Sequence, residues 1–208
     1  MTRRSALAGL APWAVCAQSG GNGGAWIPMF DGRSLKGWRE TPFAKRGTVS
    51  VRDGMIVLGK GRLTGITWAG EFPRAGYEIR FEGARLEGND YLALTFPVND
   101  SHCEWVNGGW GGQVVGLSSL DGEDASENVA ATFREFERGR WYDFRLAFDG
   151  KRIRCWIGGA IVIDVETENR NVGLRFGDSE LSAPLGFSAY ATEAGIRKIA
   201  YRRIAQAR

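Results

Sequence analysis

The sequence has few of the residues that build metal centres and covalent cross-links, and each shortage excludes a class of protein. Beyond residue 17 the chain has one histidine and two cysteines, which are too few for a tetrahedral zinc site or for a disulfide framework. No apolar run approaches the ~20 residues that a membrane-spanning helix needs. The chain also lacks a phosphate loop, a Gly-x-Ser-x-Gly elbow and a dinucleotide fingerprint, which excludes the common nucleotide-binding and serine-hydrolase sites.

Glycine and aromatic residues are abundant. The chain has 30 glycines, eight tryptophans and 43% apolar residues, with only six prolines and no collagen-like repeat. This composition is typical of buried strands that are joined by glycine-containing turns. The formal net charge is only +3. A charge this small gives no electrostatic reason to expect nucleic acid or an anionic membrane surface as a partner.

Residues 1–17 have the features of a signal peptide. Arg3 and Arg4 precede an apolar run over residues 6–15, and small residues surround a cleavage site at Ala17. The arginine pair also resembles a twin-arginine export signal. We therefore predict export to the periplasm or the extracellular space, a flexible linker over residues 18–24 and a single domain over residues 25–208. The alternative is an apolar N-terminal segment without a targeting role.

The remainder of the chain alternates between apolar and polar residues, as half-buried β-strands do. The alternation is clear over residues 77–82, 91–96 and 143–148. Further β-rich runs cover residues 48–52, 55–58, 114–117, 153–157, 160–165, 185–190 and 196–204, and turn sequences such as Asp149-Gly150 separate several of them. Only residues 130–139 suit a helical turn. About a dozen short strands predict an all-β fold, a two-sheet antiparallel jelly-roll sandwich.

Motifs spread over nearly the whole predicted domain resemble one family. They include Trp26-Ile-Pro-Met-Phe30-Asp31-Gly32-Arg-Ser34-Leu35-Lys-Gly37-Trp38, Val51-Arg-Asp53-Gly54-Met-Ile56-Val57, Gly139-Arg-Trp141-Tyr142-Asp-Phe144 and the closing Ile196-Arg197-Lys-Ile199-Ala-Tyr201. The set resembles the 3-keto-disaccharide hydrolase domain family, a branch of the concanavalin A-like, laminin-G-like jelly rolls. The resemblance implies a jelly-roll fold and glycosides as the substrate class.

The middle of the chain departs from that family's pattern. Gly88-Asn89-Asp90-Tyr91 stands where the family commonly has Gly-Asn-Ser-Gly, and residues 100–105 and 108–119 replace a Gly-Tyr-Glu-x-Gln segment. The middle strands are where such folds usually build their site. The resemblance therefore places no catalytic residue in this chain, and the site candidates come from the residues themselves.

His102 is the first candidate, because it is the only histidine and acidic residues flank it. Strand alternation places His102 and Glu104 on one face. A histidine beside a carboxylate acts as a general base near pH 7, because the negative charge holds its pKa up. We predict His102 as the catalytic base, Glu104 as its orienting partner, and Arg134 or a bound cation at the substrate's ketone oxygen. The alternative is a surface histidine with incidental acidic neighbours.

Trp110 is the second candidate, since glycines surround it throughout residues 108–112. Glycine lets the backbone approach a ligand closely, and an exposed indole stacks on a sugar ring. The alternative is a tight turn whose tryptophan fills the core. We predict an open concave face that carries Trp110 with His102 and Glu104, and further substrate-binding residues at Asn89, Asp90, Tyr91 and Thr95.

Residues 121–128 are rich in oxygen ligands, and laminin-G-like domains often hold calcium. Asp121 and Asp124 are the candidate ligands for calcium or another divalent cation, although the spacing does not fit an EF-hand. The alternative is a solvated acidic loop. No organic cofactor is expected.

The sequence contains no Glu-x-Asp pair, which laminarinase-like relatives use for direct glycoside hydrolysis. A 3-keto-glycoside can instead lose its C2 proton, which is acidic beside the carbonyl, and then its C1 substituent. We therefore predict an exported enzyme that cleaves 3-keto-glycosides or related glycosides. A non-catalytic lectin-like carbohydrate-binding module and a structural interaction domain are the alternatives.

Overall fold

Fifteen β-strands and one short 3₁₀ helix form the regular structure of residues 23–207, which are the residues that the computed structural model describes. The strands are β1 (Ile27–Pro28), β2 (Trp38–Glu40), β3 (Val49–Arg52), β4 (Met55–Leu58), β5 (Leu63–Trp68), β6 (Tyr77–Glu87), β7 (Leu92–Val98), β8 (Ser101–Gly109), β9 (Val114–Ser118), β10 (Thr132–Phe133), β11 (Trp141–Phe148), β12 (Arg152–Ile157), β13 (Ala160–Glu166), β14 (Gly186–Tyr190) and β15 (Glu193–Arg203). The 3₁₀ helix covers Asp178–Ser182 and precedes β14.

The strands form two antiparallel sheets. The first sheet has the order β13-β12-β11-β6-β15-β4-β3, with β1 paired to β15. The second has the order β10-β9-β8-β7-β14-β5-β2. In each sheet, strands that are distant in the sequence lie side by side, as in a jelly roll. The pair β6 and β15 in the first sheet is an example. The predicted all-β, two-sheet fold is therefore confirmed.

The core lies between the sheets and is largely aromatic at its centre. The ring of Phe81 stacks on Phe144 of the same sheet with 4.9 Å between centroids, and its edge contacts Phe187 of the second sheet at 4.8 Å. Trp105 contacts Phe144 at 5.5 Å. Each aromatic side chain removed from water in this way stabilises the fold by about 1.5–3 kcal/mol.

Two cysteines lie in this core. Cys103 and Cys155 are both free and buried, and burial raises the pKa of each thiol. Each side chain therefore stays neutral and packs as a small apolar group.

Two expectations about local structure need correction. Residues 130–139 contain no helical turn, because Thr132 and Phe133 pair as a short strand with Val115 and Val114. The predicted linker also extends too far, since Gly23 forms a β-bridge with Ile204 and the next glycine bonds to the backbone of residue 203.

The predicted signal peptide, residues 1–17, lies outside the described residues. Within residues 23–207, no helix is long and apolar enough to cross a membrane.

Candidate functional site

The outer face of the second sheet, the face turned away from the first sheet, carries a row of polar side chains. Thr95 of β7 pairs with Glu104 of β8, which pairs on its other side with Ser118 of β9. Strand alternation places Ser188 of β14 on the same face. All four side chains are nonetheless buried. The expectation that Thr95 and Glu104 line an open face is therefore wrong.

Two loops cover this polar row. A Cβ atom on Gly116 of β9 would lie 2.2 Å from the carbonyl oxygen of Ala125, and one on Gly186 of β14 would lie 2.6 Å from that of Ser182. Glycine at these positions lets both loops pack directly on the sheet. The loop that contains Ala125 covers one side of Glu104, and the 3₁₀ helix that contains Ser182 covers the other.

Glu104 is held by hydroxyl groups and makes no ion pair within 4 Å in the described part of the chain. Its two carboxylate oxygens accept hydrogen bonds of 3.2 Å from Ser179 and Ser188. Burial raises the pKa of Glu104, and the two serine bonds and Arg175 oppose that rise only in part. A carboxyl group that is hard to ionise and lies on a sheet face is typical of acid–base sites.

An arginine links Glu104 to the surface. Nη1 of Arg175 lies 3.6 Å from Oδ2 of Asp124, and Asp124 in turn accepts a 3.0 Å hydrogen bond from Ser118 on the sheet. The charge of Asp124 contributes to the raised pKa of Glu104. The three groups are therefore electrostatically coupled, with Arg175 at the solvent-exposed end.

A cavity of about 280 Å³ opens beside Arg175. Its other lining residues are Asp90, Tyr91, Trp110 and Tyr190. The rings of Tyr91 and Tyr190 stack with 5.7 Å between centroids, and Trp110 is 49% exposed. Aromatic rings beside a few polar groups are the usual composition of a small-molecule pocket.

Trp110 is held outward by its backbone. Its φ of 49° lies in the left-handed region, which is uncommon for a residue other than glycine. Gly108 and Gly112, both at positive φ, bend the chain on either side of it. The glycine run thus presents the indole to solvent, and the alternative of a tryptophan in the core is wrong.

Asp90 is half-buried at the edge of the cavity. It accepts a 2.9 Å hydrogen bond from the backbone N–H of Tyr91. Burial raises the pKa of Asp90, while backbone hydrogen bonds and the charge of Arg85 oppose the rise. Asn89, the neighbouring candidate, is exposed. Of the predicted substrate-binding residues, the structure brings Asp90, Tyr91 and Trp110 together, while Thr95 lies beneath the loops.

His102 lies away from this cavity. It pairs with Pro97, six residues beyond Tyr91, which corresponds to about 20 Å along the strand. Burial and then the charge of Arg74 lower its pKa, and Nε2 has no hydrogen-bond partner among the described residues. The expected orienting contact is absent, because the carboxylate of Glu104 is engaged by serines.

Arg134 lies at another edge of the sandwich. Its guanidinium is 5.5 Å from the ring centre of Tyr142 on β11 and near the turn at Gly158. It does not line the cavity beside Arg175. The structure therefore does not bring Arg134 together with Glu104 or Trp110.

The acidic loop binds cationic groups of the protein itself. Asp121 forms an ion pair with Arg170 and accepts a backbone hydrogen bond from Asn171, while Asp124 is paired with Arg175. Within residues 23–207, no group of three or more His, Cys, Asp or Glu side chains is arranged to hold a metal ion. A divalent cation at Asp121 and Asp124 stays a prediction, and these contacts give it no support.

Two residues of the cavity, Tyr190 and Arg175, are not among those predicted from the sequence. Tyr190 could have been found, because it follows Gly186 and Ser188 on the outward side of the alternating strand. Arg175 lies in an irregular segment between β13 and the 3₁₀ helix, where no periodic pattern marks the direction of a side chain.

Residues 25–204 match the model of the 3-keto-alpha-glucoside-1,2-lyase-like domain. The match covers the sandwich from β1 to the end of β15. The chain belongs to this family. No curated protein matches the sequence.

Solved structures share the fold at low sequence identity. The Crh5 transglycosylase in complex with NAG is 13% identical with a TM-score of 0.58, over 89% of this chain and 86% of that one. The carbohydrate-binding module CBM66 from Bacillus subtilis is 11% identical with a TM-score of 0.52, over 79% and 94%. A Bacillus subtilis protein of unknown function with a galectin-like fold is 11% identical with a TM-score of 0.57, over 90% and 98%. At such identities the similarity shows the fold alone.

Proposed function

We propose that this protein is an enzyme that cleaves 3-keto-glycosides by elimination on the outer face of the second sheet. One observation carries the proposal: a buried carboxyl group, Glu104, is coupled through Arg175 to a cavity walled by three aromatic rings. Membership of a lyase-like family supports elimination as the reaction type.

The cavity supplies a place for one sugar ring. Tyr91, Trp110 and Tyr190 offer apolar ring faces, while Asp90 and Arg175 offer an acceptor and donors for hydroxyl groups. Glu104 pairs with Thr95, four residues beyond Tyr91, which is about 13 Å along the strand. A ligand of two sugar rings therefore suits the site better than a monosaccharide, with one ring in the cavity and the reacting ring over Glu104.

The surroundings of Glu104 suit a sugar ring. The hydroxyls of Thr95 and Ser182 are buried and have no hydrogen-bond partner within residues 23–207. Such groups are costly to bury unless something pairs with them. A substrate hydroxyl would pair with Thr95 once the 3₁₀ helix that covers Glu104, and that carries Ser182, moves aside.

The reaction requires a base at C2 and a cation at the ketone. Glu104 takes the C2 proton, the C–H electrons form the C1–C2 double bond, and the C1–O bond breaks. The departing oxygen then takes a proton from solvent. Arg175 stabilises the negative charge that develops on the C3 oxygen. A carboxylate with a raised pKa is a stronger base than an exposed one, which favours removal of the C2 proton.

His102 is the base that the sequence predicts, and that assignment competes with Glu104. The electrostatics favour Glu104, because its charge acts on Tyr91 and Arg175 of the cavity, while the charge that acts on His102 is that of Arg74. Asp124 has a positioning role, since it fixes Arg175.

A lectin-like binding module is the second candidate. The cavity is open to solvent, whereas Glu104 is only 4% exposed and covered by Ser179. A protein that only binds sugar would need the cavity and not the carboxyl group. The structural similarity to a carbohydrate-binding module is compatible with this alternative.

A substrate comparison separates the two candidates. The protein is incubated with a glucose disaccharide and with its 3-keto derivative, and the conjugated enone formed by elimination is followed by ultraviolet absorbance. We expect enone from the keto derivative alone. Saturable binding of both sugars without cleavage would support the lectin-like module, and neither binding nor cleavage would overturn both.

A further inference from the structure

The outer face of the first sheet, opposite the proposed reaction site, contains a larger groove. Its volume is about 510 Å³, within the range of about 300–1,000 Å³ that is usual for ligand pockets. The groove crosses β6, β11 and β12. Its outward-facing lining residues are Arg80, Glu82, Asp143, Arg145, Trp156 and Lys198.

A β-bulge and regular strand alternation place side chains in this groove. The register of β15 against β6 shifts between Arg197 and Ala200, and Lys198, inside this bulge, has a φ of 54°. Bulges that redirect side chains are frequent beside binding sites. Trp156 pairs in regular register with Arg145 of β11 and therefore lies on the same face of the sheet. Lys198 and Trp156 both line the groove.

The floor of the groove is held in place before any ligand binds. The guanidinium of Arg145 lies 3.7 Å from the ring centre of Trp156 and 2.8 Å from a carboxylate oxygen of the buried Glu78. Glu82 is fixed by ion pairs with Arg197 and Lys198. Side chains that are ordered in advance lose little entropy on binding.

The charges of the groove point to an uncharged polar ligand. Three cationic side chains alternate with the carboxylates of Glu82 and Asp143. A polyanion such as nucleic acid would meet both carboxylates. Sugar hydroxyls donate and accept hydrogen bonds equally well, and a sugar ring also stacks on an indole. The mixed charges and the tryptophan together therefore match a neutral glycan.

We propose that this groove is a second, non-catalytic binding site for a neutral oligosaccharide, with Trp156 as its platform and Asp143 as a hydroxyl acceptor. It lies on the opposite sheet from Glu104 and does not depend on the proposed reaction. It would hold a glycan on one face of the sandwich while the other face acts on sugar.

The test uses isotope-labelled protein that carries Trp110→Ala, which removes one of the three aromatic rings of the other site and its indole N–H signal. Cellohexaose, laminarihexaose and maltohexaose are titrated while the indole N–H signals are followed by NMR. At least one oligosaccharide should shift the Trp156 signal saturably. Asp143→Ala, which removes an exposed carboxylate and leaves the core intact, should weaken that binding about tenfold, the scale of one charge-assisted hydrogen bond.

Trp141→Ala is the matched control. Trp141 also lies on this face and packs under an arginine, Arg197, at 3.9 Å, but it does not line the groove. Its removal should leave the affinity unchanged. The proposal is overturned if none of the three oligosaccharides shifts Trp156, or if Asp143→Ala has no more effect than Trp141→Ala.

Discussion

The buried carboxyl group of Glu104 is proposed to act in catalysis, and its ionisation lowers the stability of the fold. It is a carboxyl group among serine hydroxyls, and the nearest guanidinium in the site pairs with Asp124 instead. Burial raises its pKa in the folded state above its unfolded value of about 4.3. The folded chain therefore binds the proton more tightly. The resulting stabilisation is complete below pH ~4 and is lost as the pH rises through the folded pKa.

Glu104→Gln should accordingly stabilise the protein at pH 7 and have little effect at pH 4. Glutamine keeps an acceptor for the serine hydroxyls and removes the group whose ionisation opposes folding. Each kcal/mol gained corresponds to about 2–4 °C in Tm for a chain of this size. Thermal unfolding at the two pH values measures the difference, with the exposed Glu127→Gln as control. An equal change in Tm at both pH values would contradict the assigned pKa shift.

The same substitution separates the two candidate bases. Loss of a general base typically costs 10²–10⁴ in rate, so Glu104→Gln should lower kcat on a 3-keto-glycoside by about that factor. His102→Ala should leave kcat within about threefold, because His102 lies about 20 Å along the strand from Tyr91. Steady-state kinetics of both variants decide the matter. A large loss in His102→Ala with normal turnover in Glu104→Gln would return the role to the histidine.

At the scale of the elements, the loop around Asp124 packs directly on β9 because Gly116 of that strand has no side chain. A methyl group on Gly116 would lie 2.2 Å from the carbonyl oxygen of Ala125. Gly116→Ala should therefore displace this loop, destabilise the protein by about 1–3 kcal/mol and lower kcat/KM through Asp124 and Arg175. Urea unfolding and kinetics measure both effects. Gly173→Ala is the control, since its methyl group would meet only Ser119 Oγ at 3.6 Å.

Strands could be predicted from the sequence because the alternation of apolar and polar residues indicates which face of a strand is buried. The run over residues 55–58 coincides with β4, and the run over residues 114–117 falls short of β9 by one residue. The same alternation correctly places Glu104 on the opposite face of β8 from Trp105, which lies in the core. The alternating pattern alone is therefore sufficient to locate the candidate carboxyl group on the outer face of its strand.

The covering of the sheet could not be predicted in the same way. Thr95 and Glu104 face away from the core and are for that reason expected to be open, yet loops that lack periodicity pack over them. Nothing in the pattern of residues 119–131 or 173–182 indicates the face on which a loop lies. Ser179, which donates to Glu104, and Arg175, whose charge acts on it, both lie within residues 173–182 and were missed for that reason.

At the scale of the whole molecule, one sandwich presents two different outer faces. The core between the sheets is shared, so polar or charged residues on either outer face can vary without repacking it. The second sheet carries the polar row beneath two loops, and the first carries ion pairs and arginine–tryptophan stacks. A net charge of +3 is compatible with neutral sugars as ligands for both faces.

Export is the prediction for the N-terminal segment. Arg3, Arg4 and the apolar run over residues 6–15 should direct the chain across a membrane, with cleavage near Ala17. N-terminal sequencing of the protein recovered from outside the cytoplasm should therefore begin near Gln18. A cytoplasmic product that retains Arg3 and Arg4 would show that the segment is not a signal peptide.

Abstraction of the C2 proton by Glu104 is the central claim, and a kinetic isotope effect tests it most directly. A 3-keto-disaccharide labelled with deuterium at C2 is compared with the unlabelled sugar, and enone formation is timed for the wild type and for Glu104→Gln. The account predicts slower turnover of the deuterated sugar by the wild type and a rate near background for the variant. Equal rates for the two sugars under conditions where the chemical step limits turnover, or full activity of Glu104→Gln, would contradict it.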